Sequence, residues 1–137
     1  MAIEYTEYYD DKKKDVNDAM VRFLIRGTNI VQADAKLLVR KDTGDLQGTI
    51  VKAVDKRDLE GTVSTNSDHA IYNEFGTGRF AEDGTGRATP WVYEHPKYGF
   101  IRTEGMKPQP FMRPALNNNK PKLIKIAEDE VKKGVNK

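Results

Sequence analysis

The residues best suited to chemistry lie between Gly76 and Arg87, where the chain reads GTGRFAEDGTGR. One unit, Gly-Thr-Gly-Arg, is written twice with four residues between. Glycine-rich turns beside arginines commonly cradle phosphates, because backbone N–H groups can converge on an anion where no side chain intervenes. The details do not fit that chemistry. A phosphate-binding P-loop requires Gly-x-x-x-x-Gly-Lys followed by Ser or Thr, between a strand and a helix, and the lysine and hydroxyl residue are both missing. The stretch GTGRFA approaches a dinucleotide fingerprint, but Ala81 replaces the third glycine and no long helix follows. Glu82 and Asp83 would repel a phosphate. What remains for residues 76–90 is a mobile surface loop or an ordered contact with a partner, since long loops without secondary structure are often functional.

Other chemistry is thinner. His69 and His95 are the only histidines, and His69 with Glu74 matches no recognised metal spacing. Glu82 and Asp83 form a carboxylate pair of the kind glycoside chemistry uses, but a chain with 21 acids offers many such pairs. Ser64 and Ser67 lack a nucleophile-elbow setting. Lys120, Lys122 and Lys125 could touch DNA phosphates, yet no stacking aromatics interleave with them and Glu128, Asp129 and Glu130 follow at once. The sequence therefore assigns no catalytic residue, no metal site and no cofactor, and reads as non-enzymatic.

The bulk composition agrees. The chain has 137 residues, the size of one ordinary domain. With 37% hydrophobic and 32% charged residues, a small core with exposed segments is expected. A net charge of +2 is too balanced to argue for nucleic acid by itself. The charge is unevenly spread: Lys107–Lys137 holds eight Lys/Arg against three Asp/Glu, leaving the rest acidic. These regions could pair within one chain or between neighbouring copies. The absence of cysteine removes disulfides and thiolate chemistry. No apolar run has membrane-span length and the N-terminus lacks signal-peptide order, so a soluble intracellular protein is expected.

The elements that must position these residues follow from periodicity. Val16, Met20, Phe23, Leu24, Val31, Ala35 and Leu38 fall broadly on one helical stripe, which Gly27 would kink or split. That helix should end near Arg40 or Lys41, with Asp42 or Thr43 capping a short turn anchored by Leu46 and Ile50. Ile50–Val54 and Leu59–Thr65, separated by DKRD, read as a hairpin. Residues 67–76 read as a short helix capped by Ser67 or Asp68 and closed by Gly76. After the loop, two extended pieces flank Pro96 and Lys97. Pro110 or Pro114 can open a helix, and Leu116, Leu123, Ile124, Ala127 and Val131 mark a closing helical stripe that Pro121 interrupts. The tail from Lys132 to Lys137 should fray. This order fits an α+β fold, an antiparallel sheet with helices on one face, in a single domain over residues 1–137.

Three stretches carry a resemblance. DTGDLQGTI (Asp42–Ile50) resembles an Asp-Thr-Gly-x-Leu-x-x-Ser-Ile motif, with Thr49 in place of serine. HAIYNEFGTG (His69–Gly78) resembles a Tyr-x-x-x-x-Glu-Phe-Gly-Thr-Gly motif, with His69 where tyrosine is usual. PQPFMRPAL (Pro108–Leu116) resembles Pro-x-Pro-Phe-x-Arg-Pro-Ala. In this order, between a long helix and a closing helix, they resemble the tail-completion, or head–tail joining, proteins of long-tailed bacteriophages and prophages, over roughly Val31 to Val131.

The resemblance implies a curved antiparallel sheet crossed by a long N-terminal helix and packed by a C-terminal one. It implies a structural protein of the virion neck, assembled in the bacterial host cytoplasm. Such a protein caps the tail tube and joins it to the capsid connector, as a sixfold ring without cofactor or membrane. Members are variously described as minor capsid, minor tail or neck components. Its partners would be further copies of itself, the tail tube protein and portal-side proteins. DNA binding through the basic C-terminal segment is the less favoured alternative. Within this frame Asp42 and Gly44 would end the long helix, with Leu46 anchoring the turn after it. Phe75, Trp91 and Phe111 would anchor the core. Glu74 and Arg113 would either pair, fixing register, or both stay solvated; Pro114 completes the third motif. Gly76, Gly78, Arg79, Glu82, Asp83 and Arg87 would form a partner-contact arm, with glycine supplying freedom and arginine supplying anchors.

Overall fold

The computed structural model describes residues 2–39 and 45–136; Asp42 and Gly44 lie outside the described residues. The order is α1 (Ala2–Leu38), α2 (Asp45–Gly48), β1 (Ile50–Asp55), β2 (Glu60–Thr65), α3 (Asp68–Phe75), a 3-10 turn (Gly78–Phe80), β3 (Trp91–His95), β4 (Gly99–Thr103), α4 (Met112–Asn117) and α5 (Lys120–Val135). This is an α+β protein. The strands form two separate two-stranded sheets, β1–β2 and β3–β4, rather than the one curved sheet expected. The physical reason is local: each sheet is a hairpin whose strands are neighbours in sequence, so each pairs within itself.

Two compact units divide the chain. The first gathers Met1–Ala33, Val51–Ser64 and Leu116–Lys137; the second gathers Asp34–Ile50 and Thr65–Ala115. In the first unit, α1 and α5 lie antiparallel in close contact. A β-carbon added at Gly134 would sit 2.8 Å from the Asp15 carbonyl oxygen and 3.0 Å from Ala19 Cβ. Glu130 receives Arg22 and Arg26, each at 2.9 Å. Further along, a β-carbon at Gly27 would lie 3.2 Å from Leu123. Gly27 therefore does not split α1, which runs through it; the missing side chain admits a neighbouring leucine. Gly61 on β2 does the same for the hairpin, where a β-carbon would meet Thr28 of α1 at 2.8 Å. Gly61, Val63 and Thr65 are the half-buried positions of β2, the alternation of a one-sided strand.

The buried stripe of α5 is Ile126, Glu130 and Gly134; of the expected Leu116, Leu123, Ile124, Ala127 and Val131, the residues Leu123, Ala127 and Val131 are half-buried. Ile124 is 59% exposed and Leu116 also faces out. Burial follows the close helix approach and the ion pairs, and hydrophobicity alone does not reveal either. At the end of α1, Val31, Ala35 and Val39 are buried and Leu38 is exposed.

The second unit holds α2, α3, the glycine loop, the β3–β4 hairpin and the start of α4. Gln47 Nε2 donates to the Lys36 carbonyl at 2.8 Å, satisfying an acceptor in the last turn of α1. The Thr49 hydroxyl donates to Leu46 O at 2.7 Å and meets the Thr65 hydroxyl at 2.6 Å. A serine could make both bonds, so threonine in the motif's serine position keeps the functional atom. Helix α3 starts on Ser67, whose Oγ accepts from His69 N, and closes on Gly76 at φ 80°. Phe111 and Ile50 are its fully buried large side chains. Phe75, expected as a core anchor, is 43% exposed, and Trp91 is only half-buried. Among the described residues, no helix is long and apolar enough to cross a membrane.

Candidate functional site

The chain from Phe111 into α4 presents three successive N–H groups, and no Ser, Thr, Asp or Asn stands just before Met112 to cap them. The cap comes instead from α3. Glu74 Oε2 accepts from Phe111 N at 2.8 Å and Met112 N at 3.0 Å, and Oε1 accepts from Arg113 N at 2.9 Å. Arg113 then returns along the same path. Its Nε donates to Glu74 Oε1 at 2.9 Å and its Nη2 to the Glu74 carbonyl at 2.6 Å. The outer edge of the guanidinium grips Glu82 of the loop through both carboxylate oxygens, at 2.9 and 3.1 Å. This is the paired-fork geometry at which arginine outperforms lysine. The flat face of the same group lies 4.6 Å from the centre of the Phe75 ring.

Burial is the largest single influence on Glu74 and opposes its charge. The N–H donors of Phe111, Arg113 and Met112, together with the Arg113 side chain, outweigh it and hold the carboxyl below its ordinary value. Arg113 is pushed further up, first by its bonds to Glu82 and then by those to Glu74, and is a permanent cation. One side chain thus ties together α3, the loop and α4. Of the two alternatives for Glu74 and Arg113, pairing is the one present; the backbone cap and the third member, Glu82, were not foreseen. The missing local cap before Met112 was the one sequence signal for them.

The loop itself is folded against the chain. Thr77 N donates to Met106 O, Arg79 N to Glu104 O, Phe80 N to Thr77 O, Ala81 N to Gly78 O and Glu82 N to Phe75 O. The two Gly-Thr-Gly-Arg copies meet at their second glycines: a β-carbon on Gly86 would overlap the Gly78 carbonyl. Gly78 (φ 60°) and Gly105 (φ 118°) are in turn too close for side chains, each backbone passing against the other's segment. In the second copy, Asp83 Oδ1 accepts from the N–H and hydroxyl of Thr85 at 3.0 and 2.8 Å, and these bonds lower the Asp83 carboxyl. Most of the backbone donors of this loop are therefore given to the chain's own oxygens. The arginines are placed differently from one another. Arg79 pairs with Glu104 at 3.1 Å, both half-exposed, and lies over Phe80. Arg87 sits 5.7 Å from the centre of the Trp91 ring.

Beyond the loop, the β3–β4 hairpin projects aromatic and apolar side chains. Its register is Trp91↔Thr103, Val92↔Arg102, Tyr93↔Ile101, Glu94↔Phe100 and His95↔Gly99. Phe100 is 78% exposed and Val92 62%. The turn is held by His95, whose Nδ1 accepts from Lys97 N at 3.0 Å and Tyr98 N at 3.3 Å. His69 lies on α3, where its carbonyl accepts from the Asn73 side chain. Among the described residues no cluster of three or more His, Asp or Glu could hold a metal ion.

Long terminal helices, two hairpins and a loop pinned by one arginine make up the chain, and the polar groups of the Glu74–Arg113–Glu82 cluster bond to one another and to the backbone. Comparison of the sequence with known families supplies the class of protein. Residues 4–76, more than half of the chain, match the HK97-gp10-like family, described as "Bacteriophage HK97-gp10, putative tail-component". The chain belongs to this family of phage tail-related structural proteins. No curated protein and no solved structure matches it.

Proposed function

We propose that this protein is a structural component of the virion at the head–tail interface, where it caps the tail tube and joins it to the capsid connector as a ring of identical copies. The observation that carries this reading is the family match over residues 4–76. The architecture supports it: a polar cluster whose members are all committed to structure, beside a hairpin with exposed aromatic residues. The loop carrying Gly76, Gly78, Arg79, Glu82, Asp83 and Arg87 is the proposed contact with a neighbouring subunit or with the tube or connector. The test is the mass of the purified chain alone and with tail tubes or connectors of the parent phage. Rings that appear on the partner support the joining role. A chain that ignores both partners yet binds DNA with a steep salt dependence would replace it with the DNA-binding reading. The double substitution Arg79→Ala, Arg87→Ala should leave folding intact and impair assembly; loss of folding alone counts against the loop as a contact.

A further inference from the structure

The β3–β4 hairpin is the least self-sufficient element of the second unit. A lone two-stranded sheet is marginal in water, and both outer edges of this one carry unpaired backbone groups, because no third strand joins it among the described residues. Much of its side-chain surface is equally open, although the Tyr93 and Tyr98 rings lie against His95. Val92, Tyr93, Tyr98 and Phe100 are exposed apolar or aromatic groups. Glu94 on β3 and Arg102 on β4 are exposed, on the same face, and neither side chain forms an ion pair or hydrogen bond among the described residues. Yet the tip is held firmly by His95 Nδ1 and by Gly99 at φ 74°. The element is ordered at its turn and open at its sides.

We infer that the β3–β4 hairpin is a self-assembly edge, in which β4 of one copy adds alongside β3 of the next, with Arg102 opposite Glu94. The occupant is a second copy of this chain, and the argument is charge complementarity. One edge strand carries an acid and the other a base. Pairing β3 with β3 brings two Glu94 together, and pairing β4 with β4 brings two Arg102 together. Only the β3–β4 combination sets opposite charges across the new seam. That combination is heterologous, so each copy keeps one free edge for another, which is the connection a ring requires. The backbone edges provide the hydrogen bonds and the charges set the register, as in strand addition generally. The same register places Tyr93 opposite Thr103 on the other face. The inference rests on the proposed ring, and it names the surface that builds it.

The chain has no cysteine, so an engineered pair gives an unambiguous readout. Full-length Glu94→Cys and Arg102→Cys proteins are purified, checked for unchanged circular dichroism, and oxidised separately and mixed. The expected result is a disulfide-linked dimer containing one copy of each in the mixture and none in either variant alone. Opposed strand positions lie within disulfide reach. Tyr93→Cys mixed with Thr103→Cys supplies an independent pair if either first variant misfolds. No dimer in either mixture, or equal homodimer from each variant alone, overturns the inference. Charge reversal closes the test: Glu94→Arg and Arg102→Glu should each lose assembly, and the double variant should regain it. Wild-type rings that survive both single reversals overturn this edge and leave the ring reading standing. A wild-type chain that forms no ring on tail tubes while the mixed cysteines still cross-link overturns the ring reading and leaves the edge.

Discussion

Replacing Glu74 by glutamine tests the central physical argument, because it exchanges one carboxylate oxygen for an amide nitrogen and leaves the shape intact. In the native chain each carboxylate oxygen accepts two donors: Oε2 from Phe111 N and Met112 N, Oε1 from Arg113 N and Nε. A glutamine oxygen can keep one of these pairs. Its amide nitrogen then points donors at donors, and Arg113, half-exposed and still held by Glu82, loses one of its two counter-charges. Leaving two donors unsatisfied costs about 1–3 kcal/mol each, so a loss of about 3 kcal/mol is expected at pH 7. Glu74→Ala removes the whole set and should cost more than the glutamine change, because all four donors lose their acceptor. For a domain of this size about 3 kcal/mol corresponds to a fall in Tm on the order of 10 °C. The pH dependence has a definite sign. The folded carboxyl sits below its ordinary value, so its contribution is fully present above the unfolded value and is lost as pH falls through the folded one. The gap between parent and Glu74→Gln should thus be constant near neutrality and close in acid. Urea denaturation across pH measures the gap, and amide exchange at Phe111, Met112 and Arg113 locates it. A glutamine variant within about 0.5 kcal/mol of the parent at pH 7, with those amides still protected, would refute the capping argument.

Other substitutions separate the remaining contacts. Arg113→Lys keeps the charge but loses the fork on Glu82 and the face on Phe75, and should lower stability measurably, whereas Glu82→Gln, at the exposed end, should cost at most about 1 kcal/mol and lose even that in high salt. Gly86→Ala must push its methyl into the Gly78 carbonyl and should destabilise by about 1–3 kcal/mol in thermal unfolding, while Gly48→Ala, with open space around it in α2, should be neutral or slightly stabilising. Gly134→Ala gains helix propensity but meets the Asp15 carbonyl; a rise in Tm would show that α1 and α5 can separate freely. Glu130→Gln should weaken the first unit at neutral pH. Its carboxyl is lowered chiefly by Arg22, against burial and with help from Arg26, so the difference should vanish on acidification through the carboxylate range.

Periodicity and punctuation located the elements in sequence. The hairpin turns at DKRD and at Pro96–Lys97, the Ser67 cap and the Gly76 stop all fall where local chemistry demands them, since turns and caps are decided by a few adjacent residues. Phe111 was legible as a core residue and Phe75 was not, because its ring serves as a platform for a cation that the sequence places 38 positions away. Two fully buried positions of α5 were missed for a related reason: Glu130 is buried against two arginines on another helix, and Gly134 against the carbonyl of Asp15. Nothing in a helical wheel distinguishes such positions from solvated ones. The repeated Gly-Thr-Gly-Arg was conspicuous, but its physical meaning, two glycines set backbone to backbone, exists only once the chain has folded. The expectation of one sheet failed because strand patterns report which residues alternate and carry no information on which hairpins join.

The three-way grip of Arg113 has a consequence for any attempt to divide or shuffle this protein. The stretch that matches the family ends at residue 76, so Glu74 falls inside it and Arg113 far outside. A fragment cut to the matched segment would retain an acid whose counter-ion has been discarded. A chimera joined anywhere from residue 83 to 112 would inherit both carboxylates from one parent and depend on the other parent to supply the guanidinium. Glu74, Glu82 and Arg113 are therefore a unit of inheritance: viable hybrids should carry all three or replace all three. The boundaries of a transplantable module are set here by an ionic contract across 39 residues of chain, and not by the edges of the family resemblance.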